Sequence, residues 1–138
     1  SRGFVVVWDA RTGKRQRVFD PIAKALAFRE DTLALAVSSD SGRIELYEPD
    51  QGEEPAKTFC FDYLLPYSME FRDGGKSLAM LLSDGAFVEV ATASGRVKRR
   101  VPPPAGYKLW SAVASPDWSC SAGVTEGGIV VWSCDHAE

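Results

Sequence analysis

Few side chains in this 138-residue chain have the chemistry to bind a metal or break a bond. It carries three cysteines, Cys60, Cys120 and Cys134, and one histidine, His136. No Cys-x-x-Cys pair occurs, and a single imidazole is too few for a histidine-based zinc cage. A Ser-His-Asp triad would have to rely on that same histidine, close to the C-terminus. An odd, sparse cysteine set does not read as a disulfide framework, so three free thiols and a reducing compartment are expected. The Gly75-Lys76-Ser77 tripeptide looks like part of a phosphate-binding loop. That loop needs a glycine five residues before Gly75, and position 70 is Glu70, so the segment is read as a β-turn. Two basic runs, Lys14-Arg15-x-Arg17 and Arg96-x-Lys98-Arg99-Arg100, could meet phosphate or an acidic protein. As outer-strand residues they could equally keep sheet edges from pairing. The residues therefore predict no catalysis, no cofactor and no metal.

Composition points the same way. The chain is 45% hydrophobic and 25% charged, as expected of one globular domain. Its net charge of −3, from 16 basic and 19 acidic side chains, disfavours a nucleic-acid binder. The apolar runs are short, and a membrane helix needs roughly 18 such residues in a row. The chain starts Ser-Arg-Gly, with neither a methionine nor a signal-peptide pattern, so it is expected to be a piece of something longer. A cytoplasmic location is expected, with a nuclear one not excluded.

The elements that must position any site come from a repeat. Four segments begin with glycine, alternate apolar residues and close at Trp8, Tyr47, Val90 and Trp132. The intervals are 39, 43 and 42 residues, a period that matches four strands per propeller blade. Glycine- and aspartate-rich turns separate the strands. Residues 22–28 and 32–38 are near-continuously apolar and read as strands buried on both faces. A helix over residues 21–28 is the alternative. Residues 102–108, with three prolines, form the most conspicuous loop.

Trp8-Asp9 with Thr12-Gly13-Lys14, Phe71-Arg72-Asp73-Gly74-Gly75-Lys76, and Ala114-Ser115-Pro116-Asp117 resemble the motifs of the WD-repeat β-propeller family. The resemblance covers essentially the whole chain. The glycine–histidine pair of the family is absent from every repeat, and Val90-Ala91 stand where one Trp-Asp would be. The family's Trp–Ser/Thr–His–Asp network therefore cannot form intact, and apolar packing must carry more of the stability. The resemblance implies an all-β propeller section of four-stranded antiparallel blades. It would have about three and a quarter blades and 13 strands, in pieces 1–19, 20–61, 62–101 and 102–138.

The resemblance also implies where function would sit. The loops joining each fourth strand to the next first strand share a face with the turns between second and third strands. That face is often used for partners. On this chain it carries Tyr63, Leu64, Tyr67, Tyr107, Lys108 and Trp110, aromatic-rich positions suited to anchoring a protein. Tyr67 and Trp110 could instead pack between blades, which is also the expected place of Trp8, Trp118 and Trp132. The leading expectation is a non-catalytic scaffold for protein partners. The ring would be completed by the rest of a parent chain or by another subunit. The alternative is a propeller enzyme or metal site using Asp40, Asp84 and Glu126. Each of these carboxylates could also simply cap its own tight turn.

Overall fold

The computed structural model describes residues 4–19, 23–61, 65–103 and 105–134, and the side chain of Phe19 is left aside. Among them are 13 strands and no α-helix. Strands β1 (Val5–Trp8) and β2 (Arg15–Phe19) form a two-stranded sheet. Strands β3 (Ala23–Phe28), β4 (Leu35–Ser39), β5 (Arg43–Tyr47) and β6 (Lys57–Cys60) form a four-stranded sheet in chain order. So do β7 (Pro66–Arg72), β8 (Ser77–Leu82), β9 (Phe87–Ala91) and β10 (Val97–Val101). Strands β11 (Ser111–Ala114), β12 (Cys120–Thr125) and β13 (Gly128–Ser133) make a three-stranded sheet. Every pairing is antiparallel.

Segment 21–28 gives a strand from Ala23 to Phe28, not a helix, despite its alanines. Hydrogen bonding to β4 and the burial of Ala25 and Ala27 outweigh a helix preference of tenths of a kcal/mol per residue. Two expectations for this hairpin need correcting. Only β4 is buried along its length; on β3, Leu26 and Phe28 are about half exposed. The second strand also starts at Leu35, because residues 29–34 form a turn. In it Arg29 N–H donates to Ala34 O at 2.8 Å and Leu33 N–H donates to Arg29 O at 2.9 Å.

That turn recurs. Asp9 N–H donates to Lys14 O and Gly13 N–H to Asp9 O in the first sheet; Ala91 N–H donates to Arg96 O and Gly95 N–H to Ala91 O in the third. The fifth residue of each turn is left-handed, at φ +68 for Gly13, +59 for Leu33 and +72 for Gly95. Glycine adopts that conformation without a Cβ clash, and leucine does not.

The sheets pack face to face in chain order through three apolar clusters. Val5 and Val7 meet Leu35, Val37 and Tyr47. Ala25, Ala27, Ala36, Ile44 and Leu46 meet Met69, Leu78, Met80, Val88 and Val90. Ala79, Leu81, Phe87 and Val101 meet Leu109, Ala112, Trp118 and Trp132. Strand periodicity assigns alternate residues to opposite seams, so each inner sheet contributes to two clusters.

Candidate functional site

The exposed aromatic surface lies on the connection from β10 to β11. Tyr107 and Trp110 are 52% and 61% exposed, and Lys108 is exposed between them and the buried Leu109. Leu109 holds the loop down in the seam between the third and fourth sheets. A Cβ at Gly85 would lie 2.5 Å from its Cδ1, and one at Gly123 would lie 2.7 Å from its Cδ2. Only glycine leaves room at either position. Trp110 N–H donates to Val124 O at 2.9 Å, and the Tyr67 hydroxyl donates to Leu109 O at 3.4 Å. The loop thus presents two aromatics and a cation from a fixed backbone.

The other expected partner positions divide. Tyr67 is half-buried and packs in the same seam, so its ring supports the loop more than it faces solvent. Tyr63 and Leu64 lie outside the described residues. Leu109 was not among the expected positions; Gly85 lies in a turn and Gly123 within β12, and only the packing shows that both leave room for it.

The tryptophans also divide. Trp118, at φ +59, is buried against Phe87 with ring centroids 5.5 Å apart, and its indole N–H donates to a carboxylate oxygen of Glu70. The Arg99 guanidinium lies 5.2 Å from the centre of the Phe87 ring, and Arg99 also donates to Cys134 O. Trp132 is partly buried in the same seam. Trp8 corrects the expectation of interior packing. It is 60% exposed beside Phe28 and Leu33 in a cleft of about 320 Å3 that Val7 and Arg17 also line.

The three turn carboxylates are apart in role. Asp84 accepts from Ala86 N–H at 2.9 Å and lies 3.8 Å from Arg100, which is turn capping with a surface ion pair. Asp40 and Glu126 are exposed turn residues. Among the described residues, no three His, Cys, Asp or Glu side chains gather to hold a metal ion. Gly74 and Gly75 take φ +61 and +83 in a short 3-10 turn, Asp73–Gly75, that joins β7 to β8. The basic run on β10 is tied locally: Lys98 Nζ donates to Ser77 Oγ at 2.7 Å and lies 3.6 Å from Glu89. No disulfide joins the described cysteines. No described helix is long and apolar enough to cross a membrane.

Two titrations stand out. Hydrogen bonds from the Ser115 hydroxyl and from the backbone and hydroxyl of Ser119 lower the Asp117 carboxyl to about 2. Burial, with a hydrogen bond to Glu45 at 2.7 Å, pushes the Tyr47 phenol up. Both are structural: Asp117 ties a turn and Tyr47 fills a seam. Compared with known proteins, the chain matches no family model and no curated relative.

Proposed function

We propose that the chain is a non-catalytic section of a WD-repeat-like β-propeller that serves as a scaffold for protein partners. The stacked antiparallel sheets in chain order, at a period near 40 residues, support the propeller part of this reading. The observation that carries the partner part is the loop with Tyr107, Lys108 and Trp110 exposed on a buried Leu109. Aromatic anchors on a preorganised backbone bury much area and lose little conformational entropy on binding. Affinity capture with the full chain, quantified by mass spectrometry, tests it. A stoichiometric protein partner is expected, lost in the Tyr107→Ala, Trp110→Ala double variant and kept in Lys14→Ala. An identical set of captured proteins for all three chains would overturn the reading.

A further inference from the structure

The strand registers align the sheets position by position. Leu35 pairs with Tyr47, Leu78 with Val90 and Ser121 with Trp132, so the residues that close β5, β9 and β13 correspond. The shared turn, with Asp9 and Ala91 in one role, aligns Trp8 with Val90. The residue before each closing residue, Val7, Leu46 or Glu89, pairs across to Arg17 on β2, Lys57 on β6 or Arg99 on β10. One outer-strand position therefore carries a cation in each of the first three sheets.

All three cations reach the same place in the next sheet. Arg17 Nη1 donates to Glu48 O at 3.2 Å and to Pro49 O at 3.5 Å, and its Nη2 donates to Gly52 O. Lys57 Nζ donates to Thr92 O at 3.4 Å and to Ala93 O at 2.8 Å. Arg99 Nη2 donates to Cys134 O. Pro49, Thr92 and Cys134 each lie two residues beyond a closing residue, so the accepting carbonyls correspond as well. A cation on a carbonyl makes a stronger hydrogen bond than a neutral donor does.

What lies beneath the cation differs between seams. Arg17 lines the cleft of about 320 Å3 beside Trp8. Lys57 lines a cleft of about 190 Å3 with Leu46, Phe71 and Gly75. In the third seam, the pairs Phe71 with Leu78 and Ala114 with Ser121 place Trp118 where Gly75 stands. Its ring is buried on Phe87, which the Arg99 guanidinium also approaches. Open space supplies no dispersion contacts, so the edges of the first two seams depend on the cation in a way that the third does not.

We infer that Arg17 and Lys57 are straps: each holds the outer edge of its seam shut over a cleft, and that edge opens when the strap is removed. In the third seam Trp118 keeps the edge closed without Arg99. This role rests on the registers and the hydrogen bonds, not on the scaffold reading.

Amide hydrogen exchange followed by nuclear magnetic resonance on the full chain tests it. Thr92 N–H donates to Lys76 O and Gly95 N–H to Ala91 O beside the second strap; Cys134 N–H donates to Ser119 O beside Arg99. Lys57→Met keeps the alkyl stem and removes the donor. It should speed exchange at Thr92 and Gly95 at least tenfold with an unchanged melting temperature, because Lys57 is exposed. Lys57→Arg should keep the parent rates. Arg99→Met should change exchange at Cys134 less than threefold. Lys24→Met, at an exposed lysine of β3, should change none of these rates. Unchanged rates or a loss of folding in Lys57→Met, fast exchange in Lys57→Arg, a tenfold acceleration in Arg99→Met, or an effect of Lys24→Met would each overturn the inference.

Discussion

The seam between the second and third sheets and the outward face of the last sheet are made from corresponding residues, yet one is closed and the other open. Local structure is the same in both: antiparallel pairs, one face apolar, turns held by glycine and aspartate. Strand formation therefore does not depend on the face being covered. What differs is the free energy of burial. At about 25 cal/mol per Å2, covering a few hundred Å2 contributes several kcal/mol, a large part of a net domain stability of about 5–15 kcal/mol.

Charge placed on the two faces breaks this comparison most sharply. Leu46→Glu buries an unpaired carboxylate and should cost more than about 4 kcal/mol. Val131→Glu, at the corresponding exposed position, should stay within about 0.5 kcal/mol of the parent. Urea unfolding of both variants checks this, and equal losses would show that the end face is covered in the isolated chain.

The tryptophans give the next largest contrast. Trp118→Ala removes the tilted ring contact with Phe87 and the bond to Glu70 and should cost about 3–5 kcal/mol. Trp8→Ala should cost less than about 1 kcal/mol, because that indole is mostly in water. Thermal melts followed by near-ultraviolet dichroism would separate them; similar losses would mean that Trp8 is not exposed in solution.

The recurring turn sharpens the comparison at the backbone. Leu33→Gly relieves a left-handed leucine, worth about 1–2 kcal/mol, against a glycine entropy cost of about 0.5–1 kcal/mol. A net gain of about 0.5–1 kcal/mol is expected in urea unfolding. Gly95→Leu should destabilise by more, because its Cβ would lie 2.3 Å from the Phe59 ring. A loss on Leu33→Gly would show that the leucine side chain holds the neighbouring cleft together.

The smallest effect is a pH dependence. The folded Asp117 carboxyl is depressed to about 2, below an ordinary value of about 3.9. Its stabilising effect is thus full above about pH 4 and lost as the pH falls through about 2. The melting-temperature difference between the parent and Asp117→Asn should follow that course. A difference that stays constant from pH 7 to pH 2 would assign the effect to the amide and not to the charge.

Much of the fold was legible in the residues. The apolar runs within residues 77–82 and 128–133 mark strands with those same limits, and the Gly74-Gly75 pair marks the turn before the first of them. The exposed Tyr107 was legible too, because a proline-rich loop cannot enter a central strand; the exposure of Trp110, which could equally have packed between blades, was not. Leu109 between them was not, since nothing local shows that Gly85 and Gly123 make room for it. Trp8 misled for the same reason: an aromatic at a strand end is buried only if a neighbouring sheet reaches it.

The sequence by itself determined the strands, their turns and the alternation of faces, because these depend on side-chain period and on local backbone freedom. Tertiary structure alone decided which faces are covered. Burial depends on what stands opposite, and Val131 and Leu46 share pattern and register but not an opposing sheet.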